Sequence, residues 1–137
     1  MKQLFFTLII TGLICVTGCS KGATVKGKVT FADGTPLTVG EVVFQTETRM
    51  ASGRIQADGT YKLSSASESD GVPPGHYGVR IVGAYDSSNM PPGISLSEAA
   101  KFPPIPLINK KFEKTETSEL TCEVKGSMTF DITVTKP

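Results

Sequence analysis

The sequence lacks tryptophan, and aromatic residues make up 7% of its 137 positions, so it offers few flat rings on which a ligand could stack. It also has one histidine, His76, and three cysteines. A tetrahedral zinc site needs three or four nitrogen or sulfur ligands, which this set does not supply. The composition therefore predicts no metal site and no cofactor.

A surplus of either charge is also missing. The chain has 14 Lys plus Arg and 13 Asp plus Glu, and removal of Lys2 with the N-terminal segment would leave 13 of each. No basic stripe is available to neutralise phosphate groups, so nucleic acid is not expected as a partner.

The N-terminal segment has the pattern of a secretory signal. Lys2 supplies a positive start, and residues 4–16 form an almost unbroken apolar run. A membrane-spanning helix needs about 20 apolar residues, so this shorter run fits the helical core of a signal peptide better. The pattern predicts a signal peptide with its helix over residues 1–18.

Small residues precede a cysteine at the end of this segment. Residues 16–19, Val-Thr-Gly-Cys, resemble the lipobox of bacterial lipoproteins. The resemblance implies that the chain is cut before Cys19 and that Cys19 carries fatty acids such as palmitate, whose two or three chains give stable membrane attachment. Cys15 would leave with the signal, and Cys122 would remain as the free thiol. The alternatives are ordinary cleavage that leaves Cys19 unmodified, and a short uncleaved anchor.

Residues 19–23 would form a short lipidated tether. The four residues after Cys19 reach about 15 Å when extended, so the folded part must lie close to the bilayer. We expect the protein in the cell envelope, facing the periplasm or the cell surface. Ser20, rather than aspartate, follows Cys19, which favours the outer membrane if the cell is Gram-negative.

From residue 24 onward, apolar residues alternate with polar ones between short turns, which indicates β-strands. The turns at Asp58-Gly59 and Gly126-Ser127 are predicted to close hairpins, and the regular alternation over residues 130–134 predicts a strand at the centre of a sheet. The number and spacing of the strands predict an all-β domain over residues 24–137, an antiparallel β-sandwich of about seven strands. The strands are predicted over residues 24–31, 41–46, 50–56, 61–63, 76–83, 118–125 and 128–135.

Residues 84–106 contain five of the nine prolines and exceed the usual length of a loop. They are either a functional loop or a proline-stiffened crossing between the two sheets. Ser95 and Glu98 have the spacing of a capping box, which predicts one helical turn between them.

Five motifs follow one another along the strand-rich part of the chain. They are Gly-Lys-Val-Thr-Phe at 27–31, Asp-Gly-Thr-Pro-Leu at 33–37, Val-Val-Phe at 42–44, Asp-Gly-Thr-Tyr-Lys-Leu at 58–63 and Pro-Gly-His-Tyr-Gly-Val at 74–79. Taken in this order, they resemble the carboxypeptidase-regulatory-like, transthyretin-like (prealbumin-like) sandwich found in small bacterial lipoproteins. The resemblance implies that fold and an accessory role, and the family has no common catalytic residues.

Catalytic chemistry is not indicated. No nucleophile elbow accompanies His76, and Cys122 falls on the apolar face of its strand between Leu120 and Val124, which predicts a buried structural thiol. The hydroxyisourate hydrolases share the transthyretin-like fold but end in Tyr-Arg-Gly-Ser, whereas this chain ends in Thr-Lys-Pro. Oxygen atoms of residues 68–70 and Asp58 could face a calcium ion, but their spacing matches no known calcium loop and solvated turns explain them better.

Two functions therefore remain in view, and a secreted hydrolase is disfavoured. The first is a non-enzymatic lipoprotein that binds or organises a partner at the cell envelope, such as an envelope protein or glycan, with the sandwich as a rigid platform and its loops as the contact surface. The second is a carbohydrate- or peptide-binding accessory module, for which Tyr85, Phe102 and the proline-rich loop are the candidate contacts.

Lipidation can be tested directly on cells. Growth with a palmitate analogue should label the wild-type chain and not Cys19→Ala, because the acyl chains attach at that thiol. Cys15→Ala should stay labelled, since Cys15 leaves with the signal. Equal labelling of wild type and Cys19→Ala, measured by gel fluorescence, would refute the prediction.

Overall fold

A computed structural model describes residues 22–65 and 71–137. The predicted signal peptide, Cys19 and the acidic positions 68 and 70 lie outside these residues. Within them the secondary structure is mostly β, which confirms the all-β class. No helix in the described part of the chain is long and apolar enough to cross a membrane.

The described strands are short, and the helices are single turns. The helices are α1 (Leu96–Ala99) and α2 (Thr115–Ser118), with a 3₁₀ turn at Lys110–Glu113. The strands are β1 (Val25–Phe31), β2 (Glu41–Gln45), β3 (Met50–Arg54), β4 (Thr60–Lys62), β5 (Ser64–Ser65), β6 (Gly75–Val82), β7 (Tyr85–Asp86), β8 (Ile105–Pro106), β9 (Leu120–Val124), β10 (Met128–Thr129) and β11 (Ile132–Val134).

Five strands form an antiparallel sheet in the order β5-β3-β2-β6-β9. Alternation assigns its faces: on β6, Tyr77, Val79 and Ile81 are buried, whereas His76 is exposed and Arg80 is half-buried. The inner face therefore supplies one side of the core. The opposite, outer face carries His76 and Arg80.

The second sheet is built around β1, which is flanked by β4 on one edge and by β10 and β11 on the other. The pairing of β1 with β10 and β11 is parallel, so the prediction of a wholly antiparallel sandwich is wrong in this sheet. The strand predicted at a sheet centre over residues 130–134 forms over Ile132–Val134, and within the described residues it pairs with β1 alone and lies at an edge. Alternation reports one buried face, and it does not report how many neighbours a strand has.

Both predicted hairpins are also wrong, because each turn joins strands that lie in different sheets. The turn at Gly126-Ser127 connects β9 of the five-stranded sheet to β10 of the other sheet. The Asp58-Gly59 turn forms locally, with the Gln56 amide donating to the Thr60 carbonyl at 2.8 Å. The chain then leaves β3 and pairs β4 with β1. Turn chemistry fixes a reversal of direction, and it does not fix the strand's partner.

One core joins the two sheets. The Phe44 ring of β2 meets the Phe130 ring edge-on at a centroid distance of 5.7 Å and the Tyr77 ring at 6.0 Å. Phe44 is fully buried, and burial of such a side chain stabilises the fold by about 1.5–3 kcal/mol. Phe130 lies between β10 and β11, so this contact bridges the sheets.

A backbone group of Phe130 points into that core. Its carbonyl oxygen accepts a hydrogen bond from the Tyr61 hydroxyl at 2.5 Å, and the backbone of Gly27 passes directly beneath it. The amide of Lys28 is instead satisfied by the Asp131 carboxylate at 2.9 Å. Burial raises the pKa of Tyr61 well above its usual range, so the hydroxyl stays a donor.

The proline-rich residues 84–106 form a closed excursion. β7 pairs with β8, so the segment begins and ends at the same place, and the crossing between sheets that the sequence suggested is wrong. The capping box at its tip is confirmed, with Ser95 and Glu98 bonding to each other's backbone. The side chain of Leu96 beside it is 94% exposed.

Residues 107–119 return the chain to the five-stranded sheet. The Ser118 hydroxyl, which is buried, donates to the Val79 carbonyl at 2.5 Å and accepts from the Leu120 amide at 3.2 Å. Glu119 adopts a left-handed conformation with φ of 59°. The predicted strand over 118–125 therefore starts two residues later, because α2 occupies its first position.

Strand direction gives the sandwich two distinct ends. At the start of β1, Ala23 and Val72 exchange two backbone hydrogen bonds of 2.8 Å. We call this the attachment end, and it also holds the turns at 46–49 and 126–127. The opposite, loop end holds the Asp33-Gly34 and Asp58-Gly59 turns and the proline-rich excursion, because β6 runs away from Ala23 toward Tyr85.

The close approach at Gly27 predicts a strict size limit. A Cβ added there would overlap the Phe130 carbonyl oxygen, so Gly27→Ala should lower the free energy of unfolding by about 1–3 kcal/mol or more. At Gly126 no atom lies within 4 Å of an added Cβ, so Gly126→Ala serves as the control. Urea denaturation followed by circular dichroism measures both, and equal stabilities for the two variants would contradict this account.

Candidate binding pocket on the outer sheet face

A polar pocket lies where residues 110–118 cover the outer face of β6. The 3₁₀ turn and α2 pack against this strand, and a Cβ at Gly78 would lie 2.7 Å from the Thr115 methyl carbon. Val43, opposite Arg80 on β2, is only 4% exposed despite facing outward. This part of the outer face is therefore covered by protein.

The pocket is an open depression of about 250 Å³. Ligand sites for drug-sized molecules occupy about 300–1,000 Å³, so this one admits a single chemical group or a small residue. Two basic and two acidic side chains face it, which leaves its formal charge balanced. Its lining residues are Gln45, Arg80, Glu113, Lys114, Thr115 and Glu116.

Arg80 is the unusual member of this set. Its Nε is buried and has no hydrogen-bond partner within residues 22–65 and 71–137. The ion pairs of the same residues link other side chains, and none includes Arg80. A buried donor left unpaired costs about 1–3 kcal/mol, and this nitrogen is shielded from the pocket as well as from solvent.

Glu113, although it lines the pocket, is engaged elsewhere. Its Oε1 accepts a hydrogen bond of 2.5 Å from the Tyr85 hydroxyl. The bond to this carboxylate raises the pKa of Tyr85, so the hydroxyl remains protonated and donating. Tyr85 therefore holds Glu113 at the rim of the pocket.

The two contacts proposed from sequence behave differently. Tyr85 is half-buried and reaches the pocket through Glu113. Phe102 is half-buried at the end of the α1 turn, where its amide donates to the Ala99 carbonyl at 3.0 Å. Across the described residues, no ring contact or hydrogen bond joins Phe102 to Tyr85. The two side chains therefore do not form one site.

Sequence reasoning missed Arg80, Glu113 and Lys114. A charged residue that alternates with apolar ones on a strand is normally exposed to solvent, so the sequence predicts an exposed Arg80. Its burial depends on a segment more than 30 residues further along the chain. The segment packs closely on β6 where Thr115 contacts Gly78, but nothing in the sequence marks these two residues as neighbours.

The histidine and the free cysteine have structural surroundings. The His76 side chain is 83% exposed, and its Nε2 lies 3.6 Å from Glu123 Oε1. Cys122 is a free thiol with 5% exposure, and its sulfur lies 3.8 Å from that of Met128. Its burial agrees with the strand position that predicted it, and burial also raises the pKa of the thiol.

The Asp-Gly-Thr turns use their carboxylates internally. Asp58 Oδ1 accepts from both the amide and the hydroxyl of Thr60, at 3.0 and 2.6 Å, and these bonds lower the pKa of Asp58. Asp33 and Thr35 repeat this arrangement with the same distances. In the described ranges, no three His, Cys, Asp or Glu side chains group closely enough to hold a metal ion.

A larger cleft opens at the loop end. It measures about 430 Å³ and lies between β2, β3 and the end of β6. Glu41 and Arg54 face each other across the strands that form it, without an ion pair among the described residues. Its lining residues are Val39, Gly40, Glu41, Arg54, Val82 and Gly83.

Comparison with known proteins identifies no family for this chain. No family model matches it, and no curated protein matches it. Among solved structures, it is similar to a DUF3823 family protein from Bacteroides ovatus ATCC 8483, with a TM-score of 0.46 and 19% sequence identity. The alignment covers 84% of this chain and 45% of that protein, so this chain spans less than half of its length.

The Cys122 environment predicts slow thiol chemistry. Alkylation of Cys122 in the folded protein should be much slower than in urea, because the thiol is buried and its raised pKa lowers the thiolate fraction at neutral pH. Thr121→Cys, on the exposed face of the same strand, should react fast. Residue-resolved mass spectrometry measures both, and rapid modification of Cys122 in the folded chain would contradict its burial.

Proposed function

We propose that this chain is a lipid-anchored protein of the cell envelope whose non-catalytic β-sandwich serves as a structural or binding module. The sequence supports the anchor, with a signal peptide over residues 1–18 and Cys19 in a lipobox-like setting. The lipid on Cys19 would insert into the bilayer and hold the chain there.

The lipobox-like sequence that ends at Cys19 carries this proposal, and the clamp between Ala23 and Val72 bears on the length of the tether. Ala23 was assigned to the tether from the sequence, but it is buried and hydrogen-bonded in the fold. Only three residues then separate Cys19 from the folded domain, which shortens the free reach to about 10–15 Å. The attachment end would face the bilayer, and the loop end would face away from it.

We further propose that the sandwich is of the transthyretin-like type. The motif order given above supports this assignment, and the two Asp-Gly-Thr turns that contribute to it fold alike. In both turns the glycine has positive φ, 85° at Gly34 and 84° at Gly59. The accessory role that the resemblance implies stays a proposal, because fold does not determine function.

The surroundings of the reactive side chains support a non-catalytic role. The imidazole of His76 lies on the exposed outer face beside Glu123, and the thiol of Cys122 is buried in the core. The hydroxyl of Tyr85 is bonded to a carboxylate. None of these three groups touches another of them, so they assemble no acid, base and nucleophile set.

The second candidate function is a carbohydrate- or peptide-binding accessory module. The polar pocket favours it, because the half-buried Arg80, which has no ion pair among the described residues, lines this open depression. Its placement on the flank of the sandwich leaves it accessible when the attachment end faces a bilayer. An envelope protein or a glycan would be the partner.

The proposed orientation can be measured in vesicles. The lipidated full chain would carry a fluorophore at Lys125→Cys on the attachment end or at Ser88→Cys on the loop end, with an acceptor lipid in the bilayer. The eight residues of β6 span about 25 Å, so energy transfer should be clearly stronger from position 125.

The controls separate anchoring from orientation. Cys19→Ala carrying either fluorophore should not bind the vesicles, and the parent chain should label negligibly at buried Cys122. Equal transfer from positions 88 and 125 would contradict the orientation, and vesicle binding by Cys19→Ala would contradict the anchor.

A further inference from the structure

We propose that the outer face of the second sheet leans onto the anionic phospholipid headgroups of the membrane that holds the anchor, with Lys26, Lys28 and Lys62 as the contacting side chains. We call this surface the lysine face. The inference rests on the lipid anchor proposed above and adds a direction of tilt to it. It begins from the register of β1 and β4, in which Lys26 lies directly opposite Lys62.

The lysine face is exposed to solvent. On β1, Lys26 and Lys28 are exposed because the residues that alternate with them face the core. Lys62 is exposed on β4 in the same way. On the other side of β1, parallel pairing places the exposed Thr129 beside Lys26. The face therefore presents amino and hydroxyl groups, which can donate hydrogen bonds to phosphate oxygens.

Neighbouring side chains do not neutralise these lysines. None of the three takes part in an ion pair within residues 22–65 and 71–137. The break between β10 and β11 adds one carboxylate, that of Asp131, but its Oδ1 accepts from the backbone amide of Lys28. Like charges directly opposite each other destabilise a sheet, so the pair of Lys26 and Lys62 carries a cost that an anionic surface would relieve.

The outer face of the five-stranded sheet has no such excess of positive charge. His76 lies beside Glu123, and Glu41 lies opposite Arg54. The polar pocket on that face has two basic and two acidic side chains. The chain as a whole is close to neutral, so the fold gathers positive charge on one side of the sandwich.

The anchor and the opposed lysines lie at the same end of the second sheet. Lys26 follows the clamped Ala23 by three residues, which is about 10 Å along the strand. Salt screens a lysine charge beyond about 8 Å under physiological conditions, so only a domain held against the membrane can use this face. The lipid on Cys19 would supply that proximity, and the lysines would then decide which side leans toward the bilayer.

This lean is compatible with the orientation proposed above. The attachment end stays nearest to the bilayer, and the acidic turns at Asp33 and Asp58 stay at the far end. The opposite flank, with the polar pocket, turns away from the membrane. Because the partner is a layer of many phosphate groups, three side chains spread over a sheet can contact it and no enclosed site is required.

The test measures the direction of tilt by energy transfer in vesicles. The lipidated full chain would carry a fluorophore at Thr133→Cys on the lysine face or at Thr121→Cys on the opposite flank, with an acceptor lipid in the bilayer. Both positions are exposed. The vesicles contain either phosphatidylcholine alone or an equal mixture of phosphatidylcholine and phosphatidylglycerol, so they differ in anionic charge.

Anionic lipid should raise the transfer from position 133 and lower it from position 121. Each lysine near an anionic surface favours contact about fivefold, so Lys26→Gln/Lys62→Gln should lower the ratio of leaning to upright domains about 25-fold. The rise at position 133 should then largely disappear. Lys101→Gln/Lys110→Gln removes the same charge from exposed sites outside the face and should keep the rise.

Salt provides a second control. NaCl at 1 M shortens the screening length to about 3 Å and should abolish the rise at position 133, while the acyl chains keep the protein on the vesicles. A rise that persists in 1 M NaCl would contradict an electrostatic contact.

Three further results would overturn the proposal: no change at position 133 with anionic lipid, an equal rise at positions 133 and 121, or a full rise in Lys26→Gln/Lys62→Gln. Urea denaturation should find this variant at least as stable as the wild type, since it removes a like-charge pair. If it fails to fold, Lys26→Glu replaces it, because that change sets opposite charges across the two strands, and retention of the rise in Lys26→Glu decides against the proposal.

Failure of the anchor is recognised separately. A wild-type chain that binds neither kind of vesicle refutes the lipid anchor. A chain that binds both kinds, with equal transfer from position 133 in each, refutes the lean alone.

Discussion

The carbonyl group of Phe130 points into the core of this protein, and much of the second sheet is arranged around that fact. A buried carbonyl needs a donor, and the Tyr61 hydroxyl of β4 supplies it. The oxygen also needs space, and Gly27 at the centre of β1 provides it by lacking a side chain. One polar atom thus ties three strands together that are far apart in sequence.

The same carbonyl explains why the last strand is divided. With Phe130 turned inward, the ladder between β1 and the C-terminal strand is interrupted, and the Asp131 side chain bonds the Lys28 amide in its place. β10 and β11 then pair with β1 on either side of the break, both parallel to it. The Phe130 ring meanwhile reaches Phe44 in the facing sheet. The break therefore serves the packing of the two sheets.

Alternation along β6 places Arg80 on the outer face, and this much follows from the sequence. Its enclosure does not, since it depends on residues 110–118 lying across that face. Those residues gave only weak local signals: a 3₁₀ turn, a single helical turn and a left-handed Glu119. Short elements of this kind are stabilised by tertiary contacts, such as the Ser118 hydroxyl on the Val79 carbonyl, and local propensity leaves them undetermined.

The sequence alone determined the β class, the buried face of each main strand, the turn-forming Asp-Gly pairs and the capping box at Ser95, because each depends on neighbouring residues within one strand or turn. Only the tertiary structure decided which strands pair, why β11 lies at an edge, and how the proline-rich excursion closes on itself. It also decided that Tyr85 donates to Glu113 and that Glu113 and Arg80 line the same pocket. Those features depend on contacts between residues distant along the chain, where one alternating pattern fits several partners equally well.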